Sequence, residues 1–157
     1  MIGIRALSEI DFESVDATLP LHRFDVWRDD STYLVAWDGS DPVGHVHVAW
    51  SGTELGGPEL QDMYVLPERR SQGIGGTLVG AAERLAAERG HARCSLSVSD
   101  TNLRAQSFYE RLGYARADLP PKRVQGTIVI RGEPVEIDDT LLYFTKRIVD
   151  LASGRSS

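Results

Sequence analysis

A single cysteine, Cys94, stands among the 157 residues, which excludes an internal disulfide framework and suits a reducing compartment. Basic residues are outnumbered, 17 Lys and Arg against 23 Asp and Glu, for a net charge of -6. The basic footprint of a nucleic-acid binder is missing, and an acidic surface favours a cationic partner such as an amine. No apolar run reaches membrane-spanning length, and the start, MIGIRALSEIDFES, has no apolar stretch behind a basic cluster. Neither a membrane partner nor a secretory leader is expected, and a cytoplasmic location is. Internal repeats are absent too. With 41% hydrophobic residues the chain can fill one continuous core, so a single domain over 1–150 and a frayed tail over 151–157 are expected.

What is there is an alternation of strand and helix patterns. IGIRAL reads as a strand and SEIDFESVDATL as a helix with Ser8 as N-cap and Asp11 in its first turn. STYLVAWDGSDPVGHVHVAWSG reads as a β-hairpin turning at DGSDP, and PELQDMYVLP as a strand ended by Pro67. GIGGTLVGAAERLAAERG places Leu78, Ala81, Ala82 and Leu85 on one helix face, with Gly90 as its stop. In HARCSLSVS, Ala92, Cys94, Leu96 and Val98 alternate with Arg93, Ser95, Ser97 and Ser99, so the thiol belongs to a buried strand face rather than to a nucleophile. DTNLRAQSFYERLGY is a helix entered through Asp100 to Asn102, closed by Gly113 and buried along Ala105, Phe108 and Leu112. RVQGTIVIRGEPVEI gives two strands around Arg131 and Gly132, and TLLYFTKRI a last one. The fold class is α/β or α+β.

The four glycines of RRSQGIGGTLVG, between Arg69 and Gly80, open a helix directly after a strand. That arrangement presents unpaired backbone N–H groups and the positive end of a helix dipole to an anion, phosphate being the usual one. A Walker loop is excluded because Gly75 leads to Gly80-Ala81-Ala82 with no lysine, and a dinucleotide fingerprint starting at Gly73 fails at Leu78. Tight helix-to-sheet packing remains the other reading of this segment taken alone.

Arg70-Ser71-Gln72-Gly73-Ile74-Gly75 reads R-x-x-G-x-G. One helix and one strand later comes N-x-x-A-x-x-F-Y-x-x-x-G-Y, carried by Asn102, Ala105, Phe108, Tyr109, Gly113 and Tyr114. In this order the two motifs resemble those of the GNAT superfamily of acetyl-CoA-dependent N-acetyltransferases, over roughly residues 30 to 114. The resemblance implies a mixed, strongly twisted sheet with helices on both faces. It implies acetyl-CoA as co-substrate, no metal, and direct acetyl transfer to a primary amine, of a small molecule or of a peptide. A non-catalytic acyl-CoA sensor, or a loop holding another phosphorylated ligand, stays open.

Carried over position by position, Met63, Tyr64 and Val65 would pair with the pantetheine arm, and Ser71, Gln72, Gly73, Ile74, Gly75 and Gly76 would ring the pyrophosphate, with Arg70 at the signature position. Asn102 would contact the cofactor, serve as a plain helix N-cap, or do both. Tyr109 would protonate the departing thiolate, unless it simply packs beside Phe108. For the base, Glu59 and Asp62 are the candidates. Three residues apart on a regular strand, they point to opposite faces, so only one can face the cleft, Glu59 being favoured.

His45 and His47 share one strand face. Without a third ligand nearby, a solvated or pocket-lining face is expected rather than a metal site. Asp25, Asp29 and Asp30, near Trp27, would recruit a cationic substrate or form a solvated charge run; Tyr33 and Trp37 read as core. The stretch ARADLPPKRVQGTIVIRGEPVEIDD, longer than the family pattern needs, reads as an extended hairpin with a Pro120-Pro121 bend and an acidic return at Glu133, Glu136, Asp138 and Asp139. It would edge the acceptor pocket or support a homodimer.

Overall fold

Gly39, at φ 65°, closes a tight turn that alternating apolar residues on either side convert into a hairpin. The computed structural model describes residues 1–19, 21, 30–130 and 133–148. In chain order these form β1 (Ile2–Ala6), α1 (Phe12–Thr18), β2 (Ser31–Asp38), β3 (Asp41–Ala49), β4 (Glu59–Val65), a 3-10 turn (Pro67–Arg69), α2 (Ile74–Glu88), β5 (Arg93–Ser99), α3 (Leu103–Arg111), β6 (Ala115–Arg116), β7 (Lys122–Ile130) and β8 (Glu133–Arg147).

The strands make one mixed sheet in the order β1-β2-β3-β4-β5-β8-β6, with β7 also paired to β8. Among the described strands only β4 and β5 run parallel, and their ladder is confined to Glu59↔Ser95 and Leu60↔Leu96. Beyond Leu60 the two strands diverge. The α2 face of the sheet carries Leu34, Val46, Val48, Leu60, Leu96 and Phe144 against Leu78 and Val79. Each such side chain contributes roughly 1.5–3 kcal/mol when fully buried. On the opposite face Tyr33, Val35 and Trp37 meet Val15 and Leu19 around α1, so Tyr33 and Trp37 are core residues as expected. Gly44 is required where α2 seats on the sheet, since a Cβ there would lie 2.9 Å from the Tyr64 carbonyl and 3.2 Å from Leu78. Among the described residues no helix is long and apolar enough to cross a membrane.

Two expectations are corrected. Ser8 does not cap α1: its hydroxyl and carbonyl take the Asp11 N–H in a preceding turn, and the helix starts at Phe12. The segments PVEI and TLLYFTKRI are one strand, the 15-residue β8, because its first part pairs with β7 and its second with β5 and β6. The acidic return is cross-linked rather than loose. Arg123 pairs with Asp138 at 3.0 Å, Thr127 donates to Glu136 at 2.8 Å, and Asp139 accepts from Ser99 at 2.8 Å. Arg131, Gly132 and the tail over 151–157 lie outside the described residues.

Candidate functional site

Pro67 stops β4, and the chain turns through Arg70 into Ser71 (φ 67°) and Gly73 (φ 83°) before α2 begins. Left-handed backbone at a serine costs about 1–2 kcal/mol, and such strain concentrates at ligand sites. Gly73 is the N-cap of α2 and offers no side chain to its first turn, so the leading N–H groups and the positive helix end face outward. The loop is tethered from outside. Arg69 donates to Gln72 Oε1 at 3.1 Å and to Asp38 at 2.9 Å, and that hydrogen bond holds the Asp38 carboxyl below its usual pKa. Arg70 folds back, its Nε donating to the Val65 carbonyl at 2.9 Å while the guanidinium stacks over Tyr64.

A cleft of about 600 Å³ opens between this loop, the diverging end of β4 and α3. It brings together Met63, Tyr64, Val65, Arg70, Ser71, Gly73, Ile74, Gly75, Gly76, Asn102 and Tyr109. Gln72, the remaining loop candidate, is not among the lining residues, its side chain being tied to Arg69. Asn102 is the N-cap of α3, its Oδ1 accepting from Ala105 N at 3.0 Å, and it lines the cleft as well.

Sequence reading missed Arg69, Arg104 and Arg111, which line the same cleft. The signal was present for two of them: Arg104, Phe108 and Arg111 are spaced i, i+4, i+7 and share one face of α3. Two guanidinium groups beside an uncapped helix start suit a multiply charged anion.

Tyr109 is packed between Phe108 and Tyr114, with ring centroids at 5.0 and 6.0 Å. Its hydroxyl still reaches the cleft, donating to Met63 Sδ at 3.9 Å. Burial pushes the phenol up to about 12, so it carries its proton at neutral pH. Cys94 is also buried on β5, which drives its thiol up to about 12; the expected core role stands.

The placement of the carboxylates corrects the alternation argument. β3 and β4 pair His47↔Gln61 and His45↔Tyr64, so one residue of β3 faces two of β4. At this bulge Asp62 adopts φ 55°. The extra residue reverses the phase of the strand. Leu60, Met63 and Val65 pack toward α2, whereas Glu59, Gln61, Asp62 and Tyr64 lie toward the α1 face. Glu59 and Asp62 therefore share a face instead of opposing one another, and neither lines the 600 Å³ cleft.

His45 and His47 are 0% and 2% exposed, so they are neither solvated nor part of that cleft; they pack against Tyr33, with centroids at 5.5 and 4.5 Å. Of the early acidic run, Asp30 accepts from Ser51 at 3.0 Å, and Asp25, Trp27 and Asp29 lie outside the described residues.

Residues 1–114 match the Acetyltransferase (GNAT) family. The chain belongs to this family. It is 35% identical to a mycothiol acetyltransferase of Salinispora arenicola over 107 residues, 64% of this chain and 34% of that one. To a thialysine N-epsilon-acetyltransferase of Bos taurus it is 38% identical over 64 residues, 41% of this chain and 36% of the relative. The chain thus spans about a third of the length of these curated relatives. Its GNAT fold superimposes on a Bacillus anthracis chain assigned as a streptothricin acetyltransferase and solved with acetyl coenzyme A, at TM-score 0.68 and 14% identity, covering 94% and 99% of the two chains.

Proposed function

We propose that this GNAT protein is an N-acetyltransferase that moves the acetyl group of acetyl-CoA directly to a primary amine carried by a small molecule. One observation carries the reading: the gap where β4 leaves β5 ends between the uncapped start of α2 and the protonated Tyr109. An extended thioester arm fits a slot between diverging strands, and its diphosphate fits the loop N–H groups with Arg104 and Arg111 beside them. The names of the relatives, a mycothiol acetyltransferase and a thialysine N-epsilon-acetyltransferase, favour a small acceptor.

Each residue has a task in this reading. Ser71 to Gly76, apart from the Gln72 side chain, hold the diphosphate, and Met63 and Tyr64 align the arm along β4. Arg70 already occupies the Val65 carbonyl, so Val65 contributes its position rather than that acceptor. Tyr109 holds a proton at Oη and delivers it to the departing thiolate sulfur. An alkylammonium of pKa ~10.4 must shed a proton before it attacks, which at pH 7 costs about 4–5 kcal/mol without help. Glu59 lies outside the 600 Å³ cleft, toward the α1 face, so in this reading the amine approaches from that face and gives its proton to Glu59 there; Asp62, whose carboxylate accepts from Tyr33 at 2.9 Å, pins the bulge.

A cytoplasmic location, where a reduced Cys94 and CoA thioesters both belong, is part of the proposal. So is a homodimer built on the β7–β8 hairpin, whose outer part, among the described residues, pairs within itself.

The test is thiol release from acetyl-CoA against polyamines, aminoglycosides, amino acids and N-terminal peptides, with Tyr109→Phe alongside. Turnover on one class that collapses in the variant supports the reading. Turnover confined to peptides transfers the acceptor to proteins, and acetyl-CoA binding without turnover on any class argues against an enzyme.

A further inference from the structure

Glu59 is 8% exposed, and a buried carboxylate is costly unless hydrogen bonds are donated to it. Here one is made by a neighbour on the same strand. Gln61 Nε2 lies 2.7 Å from Glu59 Oε1, and Gln61 Oε1 lies 3.1 Å from His47 Nδ1. The orientation follows from chemistry. An ionised carboxylate only accepts, so the amide NH₂ must face Glu59, the amide oxygen must face His47, and Nδ1 of His47 must carry a hydrogen.

The His47 ring lies 4.5 Å from Tyr33, whose hydroxyl bonds Asp62 at the bulge. We infer that Gln61, oriented by His47, is a positioning residue that keeps the Glu59 carboxylate ionised and aimed, and this rests on Glu59 being the base proposed above. An amide at 61 has no proton to exchange near neutral pH, so it steadies Glu59 without competing for the proton. Among the described residues, the charged or titratable groups near Glu59 include His47 from β3, across the Gln61 amide, the Tyr143 phenol from β8, and Lys122 in its ion pair with Glu54.

The test is the pH profile of kcat/KM for the amine in wild type, Glu59→Gln and the near-isosteric Gln61→Met. Loss of the acidic limb in Glu59→Gln is expected; its persistence overturns the base assignment and this inference together. With the limb assigned to Glu59, Gln61→Met should move it up by about one pH unit, lowering kcat/KM about tenfold below the limb. An unmoved limb overturns the role of Gln61 and leaves Glu59 as base. Nitrogen NMR of the wild-type protein gives a readout that needs no variant to fold: a proton on His47 Nδ1 is expected, and a bare Nδ1 overturns the arrangement.

Discussion

The Tyr109 hydroxyl on α3 donates across the cleft to the Met63 sulfur on β4, at 3.9 Å. A thioether is a weak acceptor, so a thiolate arriving at the same place is a better partner for this proton than the one it now has. Tyr109→Phe should lower kcat by roughly 10²-fold or more and leave acetyl-CoA affinity near wild type. Steady-state kinetics with an equilibrium titration check this, and an unchanged kcat removes Tyr109 from the mechanism. Because the phenol is raised to about 12, it stays protonated from neutrality up to that value. No alkaline loss of kcat due to Tyr109 is expected between pH 7 and 10; one that disappears in the phenylalanine variant contradicts the burial argument.

Two glycines of the loop should respond differently to alanine. A Cβ at Gly73 meets nothing within 4 Å, yet its φ of 83° is left-handed, so Gly73→Ala should cost about 1–2 kcal/mol of stability in a denaturant titration. At Gly75 the added carbon would lie 3.2 Å from Phe108 and 3.4 Å from Met63. Gly75→Ala should therefore disturb the Met63 that accepts from the Tyr109 hydroxyl and the Phe108 that packs on its ring, and lower kcat by about tenfold, with a smaller change in the melting curve.

Glu83 on α2 is 4% exposed and receives Lys146 of β8 at 3.1 Å and the Tyr114 hydroxyl at 3.0 Å. Removing the acid strands a half-buried ammonium. Glu83→Ala should destabilise the fold by about 3–5 kcal/mol, whereas Lys122→Ala, which breaks the solvent-exposed pair with Glu54, should leave the unfolding midpoint essentially unchanged.

Cys94 should be silent. Buried and raised to about 12, its thiol should resist alkylation in the native protein at pH 8 and react once the chain is denatured. Cys94→Ala should keep turnover; complete loss in a folded variant would demand an acyl-cysteine route instead.

The sequence by itself determined the elements whose cause is local. Gly73, Gly75 and Gly76 follow a strand that Pro67 ends, and a left-handed glycine at a helix start exposes N–H groups wherever the chain goes afterward. Asn102 caps α3, and Tyr109 keeps one edge in the packed stripe and one in the cleft because helix geometry is periodic. The alternation in HARCSLSVS buried Cys94 for the same reason.

Only the tertiary structure decided the face of Asp62. Strand alternation assigns it opposite Glu59, but a bulge is a property of two paired strands, and one extra residue of β4 against β3 turns every later side chain over. His45 and His47 passed from an expected accessible face to full burial, packed beside Tyr33 of β2. The contact of Gln61 with His47 had no signal in the linear chain either, since it depends on which residue of β3 stands across from which residue of β4.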